Sequence, residues 1–190
     1  MAKVEIVFFS AEGHTARQAK AVADGARGHA DVRVWSLDAD GNIPDMLWET
    51  LEKADAIIFG SPTHMGGPAW QFKKFADLSS EVWHQRGWQN KLAGGFTTSA
   101  STNGDKNETL NYFITFANQH GMLWVSLGQP AANKQENGPD DMNWTGANGG
   151  AMAISPANSD PSEAPRSGDL ESARAYGARI AQMASRVEAA

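Results

Sequence analysis

Cysteine is absent from this chain of 190 residues. That absence excludes disulfides, thiolate metal sites, CxxC redox chemistry and cysteine nucleophiles, so any redox chemistry must come from a cofactor. Long apolar spans are missing as well: no segment approaches the ~20 residues a membrane helix requires. The apolar start MAKVEIVFFS carries no small-residue cleavage site, so it reads as a strand and the expected location is cytoplasmic. Blocks of like charge are also lacking. A net charge of -6 from 22 acidic and 16 basic residues is spread along the chain, which argues against a nucleic-acid footprint or a patch for an anionic membrane surface. His29 and His84 have no acid or histidine at ligand spacing, and no metal is expected.

What is present is ordinary for a globular fold: 41% hydrophobic and 20% charged residues suit one domain over residues 1–190 with a single core. Val4, Ile6, Val7, Phe8 and Phe9 form an almost unbroken apolar run, as in a strand buried on both faces of a parallel sheet. Ala16, Ala19, Ala23 and Ala26 then recur at helical spacing and are small enough for close packing. Residues 31–37 alternate like an edge strand, and a short helix is expected from Pro44. Residues 54–60 are a second buried strand, 69–78 a helix, 92–98 a strand, and the following helix ends at Gly121. Residues 122–127 read as the last strand and 170–187 as a closing amphipathic helix. Residues 129–167 break the rhythm, being rich in Gly, Pro, Asn, Asp and Ser and too long for a plain connection.

The alternation predicts an α/β fold: a doubly wound parallel sheet of about five strands in flavodoxin-like order 2-1-3-4-5, with helices on both faces. Ligands of such sheets bind beyond the carboxyl ends of the strands, where the winding reverses. Three loops fall there. The first, Ser10, Ala11, Glu12, Gly13, His14 and Thr15, is neither GxGxxG nor GxxxxGK[ST] and has no lysine for a nucleotide's terminal phosphates. It offers a helix start with free amides and the side-chain donors Ser10, His14 and Thr15, which suits a phosphate monoester. The second, Pro62, Thr63, His64 and Met65 followed by paired glycines, allows close backbone approach to the edge of a flat heterocycle. The third, Thr98, Ser99, Ala100, Ser101, Thr102, Asn103 and Gly104, offers hydroxyls and amides for its other side. Each loop alone is also a common helix-capping connection; their convergence is what points to a ligand.

SAEGHT after the first strand, FGSPTHMGG, KLAGGFTTSASTNGD, the NQHGM turn and the helix GDLESARAYGARIA occur in that order. Together they resemble the WrbA-type NAD(P)H:quinone oxidoreductases of the flavodoxin-like superfamily over nearly the whole chain. The resemblance implies FMN as cofactor: its phosphate on residues 10–15, and its ring between Pro62, Thr63 and His64 on one side and residues 98–104 on the other. It also implies a flavin contact for His120, a substrate contact for Trp83, NAD(P)H and quinone as substrates, and a homo-oligomer, dimer or tetramer. With FMN bound, a ping-pong transfer of two electrons is expected, the alternative being a flavodoxin-like electron-transfer or flavin-binding protein without nicotinamide-dependent activity. Glu12 stands where the family commonly has an aromatic residue, and His64 where it has arginine. Trp88 is expected in the core, while Trp35, Trp48, Trp70 and Trp124 are assigned to core or subunit contacts. The segment 129–167, with Trp144 inside it, is expected to pack across a neighbouring subunit and help wall the site.

Overall fold

Alternate residues of the first strand, β1 (Lys3–Phe9), feed two separate cores in the structure, a computed structural model that describes residues 1–188. Val4, Ile6 and Phe8 point into one layer with α1 (His14–Ala26) and α6 (Ser167–Glu188). Val7 and Phe9 point into the other, with α2 (Leu47–Glu52), α3 (Trp70–Leu78) and α5 (Lys106–Gln119). The period of two in a strand splits the apolar run between the two faces, which is why that run shows no polar alternation. The one exception is Glu5, only 3% exposed, whose carboxylate accepts a 2.7 Å hydrogen bond from the Trp35 indole; burial raises its pKa despite that bond.

β1 pairs in parallel with β2 (Asp31–Leu37) on one side and β3 (Ala56–His64) on the other, and β3 pairs in parallel with β5 (Leu92–Ser99). The flavodoxin-like doubly wound sheet is thus as expected, but its strand count is seven rather than five. Two causes account for the difference. The second loop folds back on β3 as a two-residue antiparallel strand, β4 (Gly67–Pro68). The last sheet position is shared by two short strands, β6 (Leu123–Trp124) and β7 (Ala151–Ile154), which both pair in parallel with β5 at different heights. The strand expected over 122–127 therefore pairs through only two residues, and the segment 129–167 contains the strand that completes the row. A short helix, α4 (Ser80–His84), was not expected and follows α3 directly.

One face is sealed by two helices in unusually close contact. α1 offers Ala19, Ala23 and Ala26, and α6 offers Ala173, Ala181 and Ala184, all buried. A Cβ on Gly177 would lie 1.9 Å from the Val22 carbonyl oxygen, and one on Gly25 would lie 1.8 Å from that of Arg174. The opposite face is aromatic: Phe59, Phe72, Phe75, Trp88, Phe113 and Phe116 pack edge-to-face or tilted, apart from the stacked pair Phe75 and Trp88, in the geometries that ring quadrupoles favour. Trp88 is fully buried there, as expected, whereas Trp70 is 58% exposed. No helix among the described residues is long and apolar enough to cross a membrane.

Candidate functional site

The register brings the carboxyl ends of β1, β3 and β5 side by side, with Phe8 opposite Gly60 and Pro62 opposite Thr98. The loops that follow enclose a cavity of about 200 Å³, lined by Ser10, Ala11, Glu12, His14, Thr15, Pro62, Thr63, His64, Thr98, Ser99 and Ala100. It sits at the reversal of winding between β1 and β3.

Loop one is shaped by Gly13, whose φ of 92° lies in the left-handed region that only glycine enters readily. The turn it makes lets the Ser10 hydroxyl accept hydrogen bonds from the Gly13 and Ala16 amides, at 3.1 and 3.2 Å. The Ser10 proton stays available as a donor. The amides of Ala11, Glu12, His14 and Thr15 have no acceptor among the described residues. Unpaired amides at a helix start, at the positive end of the helix dipole, are a ready anion site. Arg17 takes no part in it; its guanidinium donates to the Pro161 carbonyl at 2.8 Å. His14 does likewise through Nδ1–H to the Ala164 carbonyl at 2.9 Å, the only direction a carbonyl permits. Both side chains tether the segment that follows β7.

That segment supplies two lining residues not anticipated from the sequence, Ser155 and Ala157. The Ser155 amide donates to the Ser99 carbonyl at 3.0 Å, continuing the β7 ladder. Its hydroxyl, by contrast, is buried with no hydrogen-bond partner, though it borders the cavity. An orphaned buried hydroxyl is costly and marks a place where a polar ligand belongs. The sequence signal was present but faint: AMAI is an alternating run of four residues inside a stretch dominated by turn formers.

The floor is held rigidly. The Thr63 hydroxyl bonds those of Thr97 and Thr109, at 2.8 and 2.7 Å. Thr98 donates to Gln18 at 2.7 Å, and Gln18 donates onward to the Ala151 carbonyl at 3.3 Å, tying β5, α1 and β7 together.

Other expected positions lie elsewhere. Gly13 shapes the cavity without lining it. Met65 is fully exposed at the tip between β3 and β4. Ser101 and Gly104 belong to the third loop but not to the wall, and Thr102 and Asn103 line a separate polar recess with Asn107 and residues 145–149. Trp83 is 43% exposed on α4 and does not border the cavity. His120 does not reach the cavity of its own chain either. It lies at the far end of α5 from the third loop, a helix about 20 Å long. There it is 2% exposed, with its ring 4.2 Å from that of Trp88 and Nε2 2.9 Å from the Ser79 hydroxyl. The NQHGM turn keeps its shape, but within its own chain the imidazole packs into the aromatic core and not against the cavity, where the resemblance implied a flavin contact.

Burial lowers the pKa of His120 to about 4. The unfolded chain binds this proton below about pH 6.5 and the folded chain only below about 4, so stability falls as pH drops through that window. His120→Gln is expected to remove roughly 2 to 3 kcal/mol of the stability difference between pH 7 and pH 4.5. Urea denaturation at the two pH values checks this; an unchanged difference would show that the imidazole is charged in the folded protein.

A parallel sheet of this order, with an anion cradle after its first strand and two polar loops flanking it, defines a flavodoxin-like protein. The NADPH-dependent FMN reductase family model matches residues 9–137, and the chain belongs to that family as a flavodoxin-like protein of WrbA type. It is 46% identical over 189 residues to Flavodoxin FldP of Pseudomonas aeruginosa, covering 100% of both chains. It is 33% identical over 204 residues to an NAD(P)H dehydrogenase (quinone) of Aromatoleum aromaticum, covering 96% of each. Among solved structures, the flavodoxin, WrbA-like protein from Agrobacterium tumefaciens superimposes with a TM-score of 0.80 at 45% identity, covering 98% of this chain and 99% of that one.

Proposed function

We propose that this protein is an FMN-dependent oxidoreductase that accepts two electrons from NAD(P)H and passes them to a quinone at the same open face, in ping-pong order. The observation that carries the cofactor assignment is the pairing of four free amides at the start of α1 with the orphaned Ser155 hydroxyl across the same cavity. A phosphate monoester and a polar heteroaromatic ring answer both needs. Membership in an FMN reductase family supports the redox class, and relatives named NAD(P)H dehydrogenase (quinone) support the donor and acceptor.

Bound FMN supplies the electron transfer; the chain's own residues bind it, orient it and leave one face open. The amides of Ala11, Glu12, His14 and Thr15 and the Ser10 hydroxyl hold the phosphate. Pro62, Thr63 and His64 on one side and Thr98, Ser99 and Ala100 on the other hold the ring. Because the phosphate is anchored and never cleaved, neutral donors suffice and no lysine is required. Glu12, exposed on the rim, faces the approach of a nicotinamide and is the side chain placed to discriminate among donors. Subunit association, with the exposed Trp70 and Trp83 at the contacts, belongs to the same proposal.

Anaerobic stopped-flow mixing of the yellow holoprotein with NADH or NADPH tests the activity. Bleaching of the flavin absorbance, followed by recovery on adding a benzoquinone, is the expected result; no bleaching with either donor would sink it. A second reading, a carrier of single electrons, draws on the 46% identity to a protein named as a flavodoxin. A one-electron form that persists through photoreduction would favour it.

A further inference from the structure

We propose that Lys106 is a positioning residue: it fixes a positive charge behind the Ser99 wall of the cavity, aims the Ser99 hydroxyl inward as a donor, and so favours the reduced over the oxidised flavin. This rests on the FMN reading above. Lys106, the first residue of α5, has 0% of its surface exposed. Lysine is almost never fully buried without a carboxylate partner. Here the ammonium makes no ion pair among the described residues; its three N–H bonds go to neutral oxygens, Ser99 Oγ at 2.9 Å, the Ser101 carbonyl at 2.7 Å and the Thr102 carbonyl at 3.0 Å. The third loop is wound to make this cage. Gly104 and Asp105 both have positive φ, 54° and 50°, turning the chain back so that two carbonyls converge on one nitrogen.

The arrangement has two consequences for the cavity. Ser99 accepts from Nζ, so its own proton is left for the cavity or for the Ser101 carbonyl, a long 3.3 Å away. The charge is also poorly compensated. Asp169, at the start of α6, is the one acid whose field reaches it, and that carboxylate is already committed to the Ile154 amide at 2.8 Å. Burial lowers the lysine pKa to about 8, which still leaves the ammonium form predominant at neutral pH. Burying a lone cation costs several kcal/mol, more than a loop clamp needs, since a neutral donor could bond the same oxygens. Reduction adds negative charge to the bound ring, and a cation one hydroxyl away stabilises that form through a low-dielectric wall.

The test compares the FMN-loaded wild type, Lys106→Met and Asp169→Asn at about pH 7.5, where the carboxyl of Asp169, raised to about 6 by burial, is ionised. Dissociation constants of oxidised FMN and midpoint potentials are measured for each. Lys106→Met should lower the preference for reduced over oxidised FMN about tenfold, which is about 30 mV for a two-electron couple. Asp169→Asn, removing the opposing charge, should move the potential the other way. Should Lys106→Met not fold, the direction of the Asp169→Asn shift decides alone. Equal weakening of both redox forms with no change in potential would reduce Lys106 to a loop clamp and overturn the inference, as would an Asp169→Asn potential that fails to rise. A wild type that binds no FMN would overturn the function reading first, and is seen before any variant is compared.

Discussion

Gly13→Val is expected to weaken FMN binding about 100-fold, roughly 2.7 kcal/mol, with only a modest loss of apo-protein stability. The residue touches no ligand in this arrangement, so the effect is indirect. At a φ of 92° any side chain is strained, and a Cβ would stand 3.0 Å from Pro161 Cγ on the tethered segment above it. Relief requires the loop to move. The Gly13 amide would then leave Ser10 Oγ, and the amides of His14 and Thr15 would no longer converge on one point. A cradle of several neutral donors depends on their mutual aim far more than a single lysine would, because no one contact carries the affinity. Quenching of FMN fluorescence on titration measures the constant. A value within about threefold of wild type, where RT ln 3 is under 1 kcal/mol, would show that the phosphate sits elsewhere.

Gly177→Ala is expected to destabilise the fold by about 3 kcal/mol, the upper range for adding one methyl group to a packed interior. Most overpacking is relieved by a neighbouring side chain changing rotamer. Here the atom in the way is the backbone oxygen of Val22, 1.9 Å from the new methyl, and the reciprocal contact of Gly25 with the Arg174 carbonyl pins the helices a turn away. The helices must separate along their length, which uncovers Ala19, Ala23, Ala181 and Ala184 together. Gly28→Ala is the control: nothing lies within 4 Å of its added carbon, so the change should stay within about 0.5 kcal/mol. Denaturation midpoints at constant slope separate the two. A Gly177→Ala midpoint equal to that of the control would mean that α6 does not lie against α1 as described.

Physical pattern explains what could be read from the sequence. β1 and β3 were legible because burial on both faces leaves an unbroken apolar run, and α1 because its alanines recur at the helical period. The first loop was legible because a strand that gives way to small polar residues and then a helix has few other uses at that edge. Ser155 was hidden, since the four-residue strand that delivers it lies among turn formers and its partner, β5, is about fifty residues away in sequence. Lys106 was hidden for another reason: a lysine near a helix start reads as a solvated charge, and only the curl of residues 101–105 over it makes it a buried one. His120 shows what a turn motif leaves open. A turn motif fixes the backbone, but the side chain's direction depends on what fills the core beside it, here Trp88 and Ser79.

The division of the last sheet position between β6 and β7 has a further consequence, for behaviour at high concentration. A continuous strand there would present an uninterrupted row of unpaired amides and carbonyls, a template on which another molecule could add its own strand. Two offset pieces of two and four residues, separated by a long excursion, never offer such a row. At the opposite border, β2 carries Asp31 and Arg33 outward. The same interruption that delivers Ser155 to the cavity thus protects the sheet against edge-to-edge aggregation.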